Sequence, residues 1–170
     1  VTASTRLQGP TSTLAVHRAE LAQRLHDALY AAKIVSYTQG LDLMRTMSEK
    51  QGWALDLGGI ASIWRGGCII RARFLGRITD AYRADPELPN LMRAPFFEGV
   101  LNRSQQAWRE VVAMAVASGV PVPALSASLA YYDSYRCARL PANLLQAQRD
   151  FFGAHTYERT DKQGTFHTQW

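Results

Sequence analysis

Arg149 and His155 are the residues whose types and spacing best suit a piece of binding chemistry. They sit in the stretch Leu140-Pro-Ala-Asn-Leu-Leu-Gln-Ala-Gln-Arg-Asp-Phe-Phe-Gly-Ala-His-Thr-Tyr-Glu158. Arg149 falls late in a helical pattern, and His155 follows two residues after Gly153, where that pattern stops. A guanidinium offers a planar fork matched to phosphate or carboxylate, and an imidazole adds a further donor. If the turn brings both to one side of the helix end, the chemistry is anion binding, with phosphate the obvious candidate. The helix dipole alone explains a basic residue in a last turn and so covers Arg149. It does not explain a histidine beyond the turn, on a tail that also carries Tyr157, Phe166 and Trp170.

Other chemistry finds no support in the spacing. A GxGxxG loop and a P-loop are absent, and neither Gly58-Gly59 nor Gly66-Gly67 fits a phosphate cradle. These pairs read instead as tight helix–helix corners, where a missing Cβ permits close approach. There is no nucleophile elbow and no HExxH, and no pair of residues suited to general acid and base work, so no catalytic residue is assigned. His17 and His26 lie nine apart, on different and solvent-facing sides of one helix. Asp133 and Arg136 have the spacing of a helix salt bridge, and Tyr131, Tyr132 and Tyr135 read as packing residues with polar tips. Cys68 and Cys137 stand 69 positions apart with no Cys/His cluster, which suggests two buried free thiols in a reducing cytoplasm and no metal site.

The elements that must hold such a corner are helical. Leu14, Leu21, Leu25, Ala28, Leu29, Ala32 and Val35 recur at three- and four-residue steps, predicting a long helix from Thr13 to about Glu49. Thr11, Ser12 or Thr13 caps its start, Gly40 need not break it, and Gly52 stops it. A short helix is expected over Gly59–Arg65. A second is expected from Cys68 to about Ala84, carrying Ile69, Ile70, Phe74, Leu75 and Ile78 and ended by Asp85-Pro86. Leu88–Pro95 is a connector. Phe96–Ser118 is amphipathic, with Phe97, Val100, Leu101, Trp108, Val111, Val112 and Ala115 inward. After the rigid Val120-Pro-Val-Pro123 come Ala124 to about Arg136 and Leu140–Phe152, with Pro141 in the first turn of the latter. No segment alternates as a strand would. The fold class is all-α: a multi-helix domain over residues 1–153 and an extended tail over 154–170, whose spaced aromatics suit docking on another surface.

Composition sets the frame. The 170 residues are 47% hydrophobic and 19% charged, which describes a globular chain with a sizeable core. Net charge is +5, with 16 arginines against three lysines. The basic residues are dispersed, so no nucleic-acid partner is expected. No apolar run reaches the roughly 18 residues that span a bilayer, and no membrane association is expected. The opening Val1–Arg6 has neither a signal-peptide apolar stretch nor an initiator Met, as in a chain that begins mid-protein or has been processed.

Taken together, these segments resemble the decarboxylating 6-phosphogluconate dehydrogenases. The stretch from Leu140 to Glu158 looks like that family's signature near the C-terminus, and Ile63-Trp-Arg-Gly-Gly-Cys-Ile-Ile-Arg71 resembles its other long block. Ala31–Gly40, Ala130–Arg136 and Phe166–Trp170 match as well, in the right order over essentially the whole chain. The resemblance implies the C-terminal part of an oxidoreductase of the pentose phosphate pathway and gluconate utilization. Such an enzyme is a cytoplasmic homodimer that converts 6-phosphogluconate to ribulose 5-phosphate with NADP. It further implies that this chain is the second half of the helical domain and the start of a tail that threads into the partner subunit. Arg149 and His155 match the pair that reaches the substrate phosphate in the neighbouring active site. The cofactor NADP would be bound by an N-terminal Rossmann domain, and the family's catalytic Lys and Glu lie upstream, so this chain alone is expected to be inactive. The alternative is a stand-alone, non-catalytic helical interaction module derived from such an enzyme.

Overall fold

Helix α1 spans Arg18–Gln51, sustained by apolar residues at helical spacing with no proline to interrupt it. The structure, a computed structural model, describes residues 2–11 and 17–170. The expected start at Thr13, the candidate caps Ser12 and Thr13, and Leu14 therefore lie outside the described residues. Gly40 sits within α1, and Gly52 ends it in the left-handed conformation (φ 68°), its N–H donating to the Ser48 carbonyl. Ala28, Ala31, Ala32, Ile34, Val35 and Leu41 are buried, whereas Leu25 and Leu29 are exposed. The buried face is centred on the side of Ala31, Val35 and Thr38, and at 100° per residue those two leucines fall beyond its edge.

The next two helices depart from expectation at their starts. Helix α2 is Leu57–Ile63, displaced two residues towards the N-terminus, because the Asp56 carboxylate accepts the Gly59 N–H at 2.9 Å and sets the first turn. Helix α3 is Leu75–Ala84, not Cys68–Ala84. Gly67 turns the chain at φ 70°, and Ile69 is fully exposed, so the consecutive β-branched residues gain no burial that would favour a helix there. Gly58 brings α2 close to α3: a Cβ on it would lie 3.4 Å from both the Thr79 carbonyl oxygen and the Tyr82 Cβ. The Gly66-Gly67 pair, by contrast, forms an open turn with nothing within 4 Å of an added Cβ. Asp85 is extended before Pro86 and ends α3.

A 3-10 turn over Leu91–Arg93, capped by the Asn90 side chain, leads into α4, Pro95–Ala117, with proline in its first turn. Helices α1 and α4 pack along one another. The core they share with α2 and α3 centres on Phe74, whose ring meets Tyr37 edge-on at 5.2 Å and Tyr30 at 5.7 Å. Trp108 is fully buried and donates its indole N–H to the Leu125 carbonyl at 3.2 Å. Helix α5 is Pro123–Arg136. Its Tyr131 hydroxyl donates to Asp42 Oδ2 on α1 at 3.2 Å and accepts from Asn90 at 3.1 Å, the polar tip expected of a packing tyrosine.

The chain divides into two compact units, Val1–Tyr132 and Asp133–Trp170. The second holds α6, Asn143–Gly153, and a tail in which two short strands pair antiparallel: β1 (Tyr157–Glu158) and β2 (Thr165–Phe166), with Tyr157 opposite Phe166. Pro141 precedes α6 instead of entering its first turn. The strand pair was not expected, since two residues are too few to show alternation. With six α-helices and only these strands among the described residues, the fold is all-α. Both cysteines are free, as expected, but neither is buried: Cys68 is half-buried, and exposed Cys137 donates its thiol to the Arg139 carbonyl. Among the described residues no helix is long and apolar enough to cross a membrane.

Candidate functional site

Helix α6 ends in a corner built around one carboxylate. Asp150 has no solvent exposure, while its neighbours Arg149 and Phe151 are exposed. An acidic group in a last helical turn opposes the helix dipole, so its burial demands strong donors. Four are present. Oδ1 accepts the Thr156 N–H at 3.0 Å and lies 2.9 Å from His167 Nδ1. Oδ2 accepts the Thr168 N–H at 2.9 Å and the Trp170 indole N–H at 3.0 Å. Burial pushes the carboxyl pKa up, but the donors from Thr168, His167 and Trp170 outweigh that and hold it down to about 2. An ionised carboxylate only accepts, so Nδ1 is the protonated nitrogen of His167 in this arrangement.

The turn between α6 and the strands is locally strained. Ala154 (φ 49°) and Thr156 (φ 63°) both occupy the left-handed region, and neither is glycine. Each costs about 1 kcal/mol relative to ordinary backbone. The Ala154 N–H donates to the Asp150 carbonyl at 2.9 Å, and Gln146 Nε2 donates to the Thr156 carbonyl at 2.6 Å. Gly153 is needed here for a different reason: a Cβ on it would lie 2.6 Å from His155 Nε2. The imidazole thus rests over a backbone that has no side chain, with the Phe152 ring edge-on at 6.4 Å.

Arg149 and His155, the residues singled out for anion binding, flank this anchor. Arg149 precedes Asp150 on α6, and His155 precedes Thr156 in the turn; both side chains are exposed. Among the described residues neither makes a side-chain hydrogen bond or an ion pair. An arginine held for the helix dipole would point at the last carbonyls, and no such bond is present. A cavity of about 410 Å³ lies between α6 and the strand pair, lined by Arg139, Asn143, Gln146, Tyr157, Arg159 and Trp170, and neither Arg149 nor His155 lines it. Asp150 and Gln146 are not among the residues that type and spacing single out. For Asp150 a signal existed, a carboxylate on the wrong end of a helix dipole; for Gln146 there was none.

His17, the extended residue just before α1, and His26, on α1, are both exposed, and His26 contacts Asp27 at 3.0 Å. Asp133 and Arg136 form the expected i,i+3 pair at 2.8 Å. Among the described residues no group of three or more His, Cys, Asp or Glu could hold a metal ion. A dinucleotide such as NADP finds no fit either: the described strands are the two short ones of the tail, with no glycine-rich strand–turn–helix crevice. Leu144, Leu145, Phe151 and Phe152 leave much of the α6 surface apolar and exposed, Phe152 at 80%.

Residues 1–170 match the model of the family described as 6-phosphogluconate dehydrogenase, C-terminal domain. The chain is 56% identical over its full length to the decarboxylating 6-phosphogluconate dehydrogenase of Escherichia coli (strain K12), covering 36% of that protein. It is 54% identical to the same enzyme of Staphylococcus aureus (strain N315), again covering 36%. Among solved structures it resembles Plasmodium falciparum 6-phosphogluconate dehydrogenase, described in apo form and in complex with its cofactor NADP+ and its substrate 6-phosphogluconate. That match has a TM-score of 0.88 and 44% identity, over 99% of this chain and 36% of the other. The chain therefore spans about a third of the length of these relatives.

Proposed function

This chain belongs to the 6-phosphogluconate dehydrogenase family, and on that premise we propose that it is the C-terminal part of an NADP-dependent, decarboxylating enzyme of that kind. In this reading it supplies dimerisation surface and substrate-phosphate contacts rather than the chemical step. Arg149 and His155 bind the phosphate of 6-phosphogluconate held mainly by a second subunit. One observation carries the reading: a guanidinium and an imidazole stand exposed, with no side-chain hydrogen bond or ion pair among the described residues, on a corner whose strained backbone is tied down by a buried carboxylate. The exposed apolar surface of α6 supports the dimer, since a face of this kind gains most by being covered.

The division of labour follows from chemistry. A phosphate dianion accepts several charge-assisted hydrogen bonds, and a guanidinium fork with an imidazole supplies them. Holding the phosphate, remote from the reacting carbons, fixes the sugar acid relative to the groups that act on it. A nicotinamide cofactor would supply the hydride-accepting chemistry in such an oxidation; the residues of this chain do not fit one, and their proposed part is to hold the phosphate.

Two measurements test the reading. The 170-residue chain, mixed with 6-phosphogluconate and NADP, should give no NADPH; clear turnover would refute the assignment of chemistry to other segments. In the full-length protein, Arg149→Ala and His155→Ala should each raise KM for 6-phosphogluconate, on the order of 10- to 100-fold for loss of a hydrogen bond to a charged group. An unchanged KM in both removes the phosphate role. The other reading, a stand-alone interaction module, is separated by the intact mass and the encoding frame.

A further inference from the structure

Resting on the reading of Arg149 and His155 as phosphate ligands, we propose that Asp150 and Gln146 are positioning residues for His155, which fix the imidazole at one place relative to the arginine. His155 lies between two non-glycine residues in the left-handed conformation, Ala154 and Thr156. Left alone, such a turn relaxes to commoner backbone geometry. Here both sides of the Thr156 residue are held by α6. Its N–H reaches Asp150 Oδ1 at 3.0 Å, and its carbonyl receives Gln146 Nε2 at 2.6 Å. Gln146 and Asp150 lie four apart, on one face of the helix, so both clamp the turn from the same side.

Arg149 is the covalent neighbour of Asp150. The helix therefore presents the guanidinium and, through the adjacent side chain, fixes the turn that presents the imidazole. The same carboxylate holds the far end of the tail through Thr168 and Trp170, so the turn is closed from both directions. A binding pair on two independently mobile segments would have to be ordered each time an anion arrives; this corner is ordered beforehand.

The test is a double-mutant cycle in the full-length protein, with steady-state KM and kcat for 6-phosphogluconate as the readout. Gln146→Ala should raise KM about 2- to 10-fold, the range for loss of one hydrogen bond, and Asp150→Asn, which replaces an oxygen accepting two hydrogen bonds with an amide donor, at least as much, each with a smaller change in kcat. In a His155→Ala background both should add little, because the residue they position is gone. Effects that simply multiply overturn the proposal, as does an unchanged KM in Gln146→Ala while His155→Ala raises it. Should Asp150→Asn fail to fold, Gln146→Ala decides alone, since it removes only the bond to the Thr156 carbonyl. If Arg149→Ala and His155→Ala leave KM unchanged, the phosphate reading itself has failed, an outcome distinct from failure of the clamp.

Discussion

The Asp150 carboxylate on α6 accepts the indole N–H of Trp170 at 3.0 Å, across 20 positions of sequence. The same group takes the Thr168 and Thr156 amides. One buried charge thereby converts a polar tail without a core of its own into a segment with a defined path. Hydrogen bonds to an ionised acceptor are the strong ones, and leaving such a group unpaired inside the protein is costly.

Acid should release the tail, and the direction follows from the sign of the shift. The Asp150 carboxyl titrates at about 2, below its ordinary 3.8. A depressed folded-state value contributes stability that is present in full above the unfolded value and is lost as pH falls through the folded one. The Trp170 indole N–H resonance in NMR should therefore hold its position down to about pH 4 and move to the free-indole position between there and about pH 2. Movement centred above pH 5 would mean that this carboxylate is not the anchor.

Ala154→Gly should stabilise the end of α6. Ala154 caps the helix at φ 49°, where glycine is the favoured residue. Relief of the left-handed strain amounts to about 1 kcal/mol, less the entropy that glycine adds to the unfolded chain. The expected outcome is slower amide exchange of the α6 terminal residues and no loss of helix content. Faster exchange would show that the alanine methyl makes a contact worth more than the strain.

Trp108→Ala should be severely destabilising. The side chain is fully buried and its N–H is satisfied by the Leu125 carbonyl. Truncating a buried aromatic of this size costs about 3–5 kcal/mol. Urea denaturation should show a lower midpoint with a similar slope.

Asp56→Ala should weaken α2 locally. It removes the side chain that accepts the Gly59 N–H, at a cost of about 1 kcal/mol. Thermal unfolding should fall modestly, and Asp56→Asn should recover most of the loss, because asparagine caps nearly as well. Equal losses in both variants would point to the charge rather than the cap.

Where local rules act, the elements were legible before any coordinates. Gly52 had to end α1, Asp85-Pro86 had to end α3, and Trp108 and Phe97 had to face inward, because propensity and periodicity decide those things within a few residues. Ile69 and Ile70 misled for the same reason: they satisfy a helical pattern, but among the described residues nothing covers Ile69, and Ile70 is left 43% exposed. The register of α2 turned on Asp56, a cap that composition does not advertise.

By itself, the sequence determined the all-α class and the kinship, and it singled out Arg149 and His155 as the pair proposed to bind an anion. Those rest on residue type, order and spacing. Only the tertiary structure decided how the tail is held: that Asp150 turns inward, that donors from positions 156, 167, 168 and 170 converge on it, and that the turn around His155 is strained and clamped. Convergence of groups 6 to 20 residues apart depends on the path of the chain in space. A buried charge is tolerated only where that path delivers its partners, and no local pattern encodes that.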